Sequence, residues 1–301
     1  MNKIQQLFAF CNEKNILAKL DEPMKNHTTF KIGGNADIFI MPTDFDLLKS
    51  VLKKIDELAL DCIVVGAGSN LLVSDGGIEG AVISTAGLAE ISLNGNEIVA
   101  FGGAKLNDIA KFACKNGLAG FEFAYGIPGT LGGAVFMNAG AYGGEMKDVL
   151  VAAEHIDESG NFGEFCLEKL ELGYRKSVYS SKNFTIISAK IKLVPGNFAE
   201  IKEKMDEIFA KRVNKQPYDK KSAGSVFKRP EGHFAGTLIE QAGLKGFTVG
   251  GAQVSEKHAG FIVNIGGATC KDVEDLILHI QKTVKEKFCV ELECEVKKIG
   301  R

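Results

Sequence analysis

The chain has 301 residues, 36 basic against 38 acidic for a net charge of −2, and is 45% hydrophobic. That balance describes an ordinary globular protein with room for two or three packed units and excludes an intrinsically disordered chain. It offers no basic face for nucleic acid, and no run approaches the ~18 apolar residues of a membrane span.

Seven cysteines, at 11, 62, 114, 166, 270, 289 and 294, include no Cys-x-x-Cys pair. Reduced thiols in a cytoplasmic protein are expected. The five histidines are scattered, so neither a zinc finger nor a His-Glu-x-x-His site is present, and no metal is expected.

At the N-terminus, Ile4, Leu7, Phe8 and Cys11 recur at helical spacing, and the apolar run 7–10 is too short for a signal-peptide core. The first strong helix is predicted over 43–60, with Thr43 and Asp46 as a capping-box-like start and Leu47, Leu48, Val51, Leu52, Ile55 and Leu58 on its apolar face. Short strands come next at CIVV, LLVS, AVIS and EIVAF, separated by glycine turns, and then a helix over 105–116 stopped by Gly117. A glycine-dense stretch covers 125–145, and mixed strand and loop continue up to FTIISAKIKLV. Composition breaks at 195–197. A charged helix over 198–215 succeeds the break, with Ile201, Met205, Ile208 and Phe209 on its apolar side. GTLIEQAGLKG reads as a short helix ended by Gly243, and a last helix runs from 272 to about 287. The chain closes on VELECEV, a strict alternation that puts Glu291, Glu293 and Glu295 on one strand face. The sum is an α+β chain without internal repeats.

Two glycine regions hold the chemistry. VVGAGSNLLVSDGG at 64–77 begins like a dinucleotide fingerprint, but position 71 is Leu rather than Gly, and LLVSDGGIEGAVI reads as strand, turn, strand rather than helix. No phosphate loop of the Gly-x-x-x-x-Gly-Lys-Ser/Thr kind occurs. Two readings of 64–77 stand: a plain glycine-turn hairpin, or a backbone nest for an anion with Ser69 and Asn70 as added donors. The second region, GIPGTLGGAVFMNAGAYGG, is too apolar for a linker and suits a backbone lying against something flat or bulky.

VGAGSNLLVSDGG, GIPGTLGGAVFMNAGAYGG, YRKS, GSVFKRP and LECEV occur together in the order found in the UDP-N-acetylenolpyruvoylglucosamine reductase family, and the chain resembles that family from about residue 28 to the C-terminus. The resemblance implies a non-covalent FAD and NADPH as hydride donor. It also implies reduction of the enolpyruvyl group of a UDP-sugar, yielding UDP-N-acetylmuramate for peptidoglycan. The implied fold is an FAD-binding domain of the p-cresol methylhydroxylase (vanillyl-alcohol oxidase) type plus a smaller α+β substrate-binding domain. Domain one would span 1–195, in subdomains of about 1–84 and 85–195, completed by a C-terminal strand at 290–301. Domain two would be 196–289.

Carried over position by position, the resemblance assigns Gly66, Gly68, Ser69, Asn70 and Leu71 to the FAD diphosphate. Gly126, Ile127, Pro128, Gly129, Gly133, Asn138, Gly140, Ala141 and Tyr142 would surround the flavin. Arg175 would polarise the substrate carboxylate, Ser225 donate a proton, and Glu295, next to the valine, assist. Tyr174, Arg212, Lys215, Lys228, His258 and Asn264 fall in substrate motifs. Without the motifs, Arg175 reads as a surface arginine, Ser225 as a loop serine and His258 as a structural histidine. YRKSVYSS passes directly to KNFTIISAKIKLV, which matches a shorter branch lacking an extra substrate-closing loop. Arg229 stands where many relatives carry Asn. No obligate protein partner is implied. The rivals are another flavoprotein of this fold acting on a hydroxy acid or alcohol, and a sugar-nucleotide binding module without catalysis.

Overall fold

The computed structural model describes residues 1–301. The chain divides into two units: Met1–Leu20, Ile38–Ala67 and Gly80–Lys211 form the first, and Asp21–Asp37, Gly68–Glu79 and Arg212–Arg301 the second.

The first unit has two cores. In one, helices α1 (Lys3–Glu13) and α2 (Phe45–Glu57) cover a sheet ordered Leu17–Pro23, Asn35–Met41, Ile78–Ser84, Cys62–Val65, and Leu7, Cys11, Leu48, Val51, Ile55 and Ile83 fill the interior. The expected capping box of α2 is replaced by Asp44, whose carboxylate accepts from Leu47 N at 2.8 Å; Asp44 has the extended backbone a cap needs. In the other core, α3 (Leu106–Lys115) and α4 (Leu131–Phe136) pack with an antiparallel sheet ordered Phe162–Cys166, Leu150–Ile156, Thr185–Lys192, Glu97–Phe101, Ile91–Asn94. Helix α4 lies inside the glycine-dense stretch, where Gly132 and Gly133 hide its helical character from propensity. Helix α5 (Phe198–Lys215) buries Ile201 and Met205 in this same core. The first unit therefore extends to Lys211, past the break expected at 195.

The second unit packs α6 (Ala235–Gln241) and α7 (Cys270–Phe288) with an antiparallel sheet ordered Lys221–Ser225, Phe261–Asn264, Ala252–Val254, Thr248–Val249. The closing segment belongs here, not with the first unit: Lys297–Ile299 pairs in parallel with Leu71–Val73, and Leu292 and Val296 enter the second unit's core. VELECEV is not a regular strand, having one isolated bridge, Cys294 to Phe227. Its alternation survives in burial, with Leu292 and Val296 buried and Glu291 and Glu293 exposed.

Helix α7 has two caps. Thr269 and Asp272 form the capping box, and Asp75, from a distant loop, accepts from Cys270 N at 2.8 Å and Lys271 N at 3.0 Å. A carboxylate on the first free N–H groups also complements the helix dipole. Asp75→Ala is expected to lower the second unit's unfolding free energy by about 1–2 kcal/mol, read from the urea midpoint, with Asp75→Asn losing less. An unchanged midpoint refutes this role.

Candidate active site

The segment 64–77 is strand, turn, strand, but not a hairpin. Cys62–Val65 pairs in parallel with Ile78–Ser84, whereas Leu71–Val73 pairs in parallel with Lys297–Ile299. The turn between them needs glycine at 66 and 68 for steric reasons. A Cβ at Gly66 would lie 2.2 Å from Thr130 Oγ1, and one at Gly68, whose φ is +61°, would lie 2.2 Å from the His27 carbonyl oxygen. Within the second unit, Asn70 binds the closing segment twice. Its side chain donates to the Glu295 carbonyl at 3.2 Å, and its own carbonyl accepts from Lys297 N at 2.9 Å.

The second glycine region lies wholly in the first unit. Gly126, at φ +85°, donates its N–H to Asn107 Oδ1 at 2.6 Å. Ile127 N bonds to Ala124 O at 3.1 Å and Gly129 N to Ile127 O at 2.9 Å, a tight path around Pro128. A Cβ at Gly133 would meet only Thr130 Oγ1, at 3.9 Å, so this face of α4 is open. Gly140–Ala141 and Gly144–Glu145 form a hairpin whose two turn residues, Tyr142 (φ 51°) and Gly143 (φ 89°), are both left-handed, and Tyr142 is exposed at its tip.

These residues fit a flavin dinucleotide on one observation above the others. Thr130, at the N-terminus of α4, has a buried hydroxyl with no hydrogen-bond partner. A buried unpaired hydroxyl costs about 1–3 kcal/mol, which a phosphate or flavin acceptor would recover. Thr130 lies outside the motif positions that the family resemblance assigns. The available signal is its type, a capping residue directly before an apolar run in GTLGGAVF.

Arg175 occupies a two-residue turn closed in both directions, Gly173 N to Lys176 O at 3.0 Å and Lys176 N to Gly173 O at 3.2 Å. Its φ is +53°, unusual for a residue with a side chain. The guanidinium stands 5.1 Å from the centre of the Tyr174 ring and donates to the Gly140 carbonyl at 3.4 Å.

Ser225 and Glu295 are both in the second unit. Ser225 ends the strand Lys221–Ser225, after a bulge in which Gly224 takes φ +75° and the register with Phe261–Asn264 slips by one residue. A bulge re-aims the side chain beyond it. Glu295 N then donates to the carbonyl of Val226, the neighbour of Ser225, at 2.7 Å. Glu295 is half-buried, and the two other carboxylates of the alternation are surface partners: Glu293 pairs with Lys228, and Glu291 with Lys285 at 2.6 Å, which holds Glu291 below its usual range. Of the three carboxylates only Glu295 is withdrawn from the surface in this way.

The remaining residues expected at the substrate are less alike. Lys215 and Tyr174 are exposed and Arg212 is buried. His258 is held by protein partners: its Nδ1 accepts from Gly260 N at 3.1 Å, its ring meets Phe261 edge-on, and burial lowers its pKa. The Asn264 amide joins backbone to backbone, donating to Phe30 O at 3.1 Å and accepting from Gly266 N at 3.0 Å, so its side chain is accounted for by the fold.

Residues 36–164 match the FAD binding domain family, and residues 216–299 match the C-terminal domain of UDP-N-acetylenolpyruvoylglucosamine reductase. The chain is 52% identical to the UDP-N-acetylenolpyruvoylglucosamine reductase of Clostridium perfringens over 97% of its length and 95% of the relative's. It is 49% identical to that of Clostridioides difficile, with 97% of each chain covered. The crystal structure of the Thermus caldophilus reductase superposes with a TM-score of 0.80 at 36% identity, covering 94% of this chain and 98% of that one. Glycine-lined backbone, an open α4 face and a matched FAD binding domain define an α+β flavoprotein oxidoreductase. With both halves matched and relatives aligned nearly end to end, the chain belongs to the UDP-N-acetylenolpyruvoylglucosamine reductase family.

Thr130→Val removes the hydroxyl and keeps the shape. The flavin dissociation constant is expected to rise about three- to tenfold, measured by fluorescence titration of the apoprotein, with no loss of apoprotein thermal stability. Unchanged flavin affinity would remove Thr130 from the site.

Proposed function

We propose that this chain reduces the enolpyruvyl ether of UDP-N-acetylenolpyruvoylglucosamine to the lactyl ether of UDP-N-acetylmuramate, with FAD bound and NADPH as reductant. A bound flavin would supply hydride transfer from NADPH to the substrate's terminal vinyl carbon. The residues that would hold it are Gly66, Gly68, Ser69, Asn70 and Leu71 together with Thr130 and the backbone of 126–142.

The chain's own chemistry concerns the charge and the proton. Hydride arriving at the vinyl terminus pushes an electron pair toward the conjugated carboxylate, which becomes an enolate. Arg175 meets that carboxylate with a planar fork of donors, so its attraction grows as charge develops. The Ser225 hydroxyl then gives its proton to the adjacent carbon. A serine is a weak acid, and a carbanion-like enolate is basic enough to take the proton. Glu295 supports the same step, and as a protonated carboxyl it would donate rather than repel.

The observation that supports the roles of Ser225 and Glu295 is the 2.7 Å bond from Glu295 N to Val226 O, which holds the glutamate's segment beside the serine's. Arg212, Lys215, Lys228 and Tyr174 are proposed contacts to the sugar nucleotide. The cytoplasm is the proposed compartment, in keeping with seven free thiols and with no helix long and apolar enough to cross a membrane.

The test separates the half-reactions. NADPH should bleach the bound flavin anaerobically, and the enolpyruvyl sugar nucleotide should restore its colour. Ser225→Ala should keep the first step and slow the second by about 10²- to 10⁴-fold. Flavin that NADPH reduces but this substrate never reoxidises would refute the assignment, and unchanged reoxidation in the variant would remove Ser225 from its role.

A further inference from the structure

Two buried side chains converge on the turn that carries Arg175, and one of them, Asn138, was expected at the flavin but spends its side chain on protein partners. Asn138 is fully buried and left-handed, at φ +42°. Its Nδ2 donates to the Gly173 carbonyl at 3.0 Å and to Glu145 Oε2 at 2.7 Å, and its Oδ1 accepts from Lys147 N at 2.9 Å. The orientation of the amide is fixed by its partners, since Lys147 N can only donate and Gly173 O can only accept. Both N–H donors are in use, so the side chain serves the protein rather than a ligand. On the other flank, Ser177, the last residue of YRKS and also fully buried, donates its hydroxyl to the Phe136 carbonyl at 2.8 Å. The turn Gly173–Lys176 is thus pinned at both ends, to Asn138 at 173 and to the C-terminus of α4 at 177.

We infer that Asn138 and Ser177 are positioning residues for Arg175, which hold its turn against the glycine-rich flavin segment. The reason is mechanical. A left-handed arginine in a four-residue turn is not a conformation the chain adopts unaided. Released, the turn relaxes and the guanidinium is no longer presented where charge develops. Displacement of about 1 Å at a reacting group is enough for a large rate loss. Glu145, which also pairs with Lys147 at 2.5 Å, completes the support by accepting the second Asn138 donor.

The inference rests on the proposed role of Arg175, and the experiment separates the two. Asn138→Gly keeps the left-handed backbone and deletes the amide. Ser177→Ala deletes one hydroxyl and guards against a folding failure of the first variant. In the flavin-loaded enzyme, reduction by NADPH and the substrate dissociation constant are expected to stay within about twofold of the parent in Ser177→Ala. Flavin reoxidation by the substrate is expected to slow about tenfold or more. The deciding measurement is a double-mutant cycle. In an Arg175→Ala background, removing Asn138 or Ser177 should slow reoxidation no further, because there is no guanidinium left to place. Losses that multiply in that background would overturn the inference and leave a general structural role, as would unchanged reoxidation in both single variants. Arg175→Ala reoxidising at the parental rate would instead refute the role of the arginine itself.

Discussion

One constraint in the first unit governs the first glycine loop: nothing beyond a hydrogen fits on residue 66. The Thr130 hydroxyl stands 2.2 Å from where a Cβ would be. That single approach joins the end of the parallel strand Cys62–Val65 to the start of α4, two segments more than sixty residues apart in sequence. The threonine at the start of α4 caps nothing, so its hydroxyl is buried beside Gly66 without a partner. Glycine at 132 and 133 weakens α4 as a helix, yet it also lets the helix lie against the Gly102 carbonyl. Function and local stability are opposed here, and packing into the surrounding core retains the helix.

The second unit is organised by a different device, strand register. Glu295 is placed not by a regular strand but by a few bonds: Glu295 N to Val226 O, Lys228 N to Glu293 O, and Asn70 to the carbonyl of Glu295. These tie the carboxylate's backbone both to the serine segment and to the first glycine loop. The bulge at Gly224 turns Ser225 out of the regular alternation at the point where this pairing begins. A slip of one residue would exchange Glu295 for its neighbours Cys294 and Val296, so the site depends on register more than on any single contact.

Much of this fold is legible in the sequence, for identifiable reasons. Helical stripes such as Leu48, Val51 and Ile55, or Ile201, Met205 and Ile208, place their helices because one face must be buried. The capping residue of α2 falls one position beyond the expected Thr43, since Thr43 and Asp44 are both good caps and only backbone geometry distinguishes them. The alternation of VELECEV predicts the burial pattern correctly and the strand wrongly, because period-two burial needs an extended chain but not a partnered one. The unit boundary runs with Met205 and Ile201 into the first core rather than stopping at the composition break at 195. Local pattern cannot report long-range pairing, so the partners of Cys62–Val65 and Leu71–Val73 lie out of its reach. The site residues themselves are legible only as motifs in order. Nothing in periodicity distinguishes Glu295 from Glu291, and burial does so only in the folded chain.

Backbone strain shows where the first unit departs from what local preference favours. Asn138, Tyr142 and Arg175 all have positive φ, and only asparagine among the three types enters that region readily. Each conformation of this kind costs about 1–2 kcal/mol for a residue with a Cβ, so three of them are a large fraction of ordinary domain stability. They lie in segments bonded to one another, through Asn138 to Gly173 and Arg175 to Gly140. A hairpin relieved by glycine at 142 and a turn relieved by glycine at 175 would be more stable and would lack an aromatic ring and a guanidinium at their tips. The side chains are retained against conformational preference, and the buried amide of Asn138 is where the fold supplies the compensating bonds.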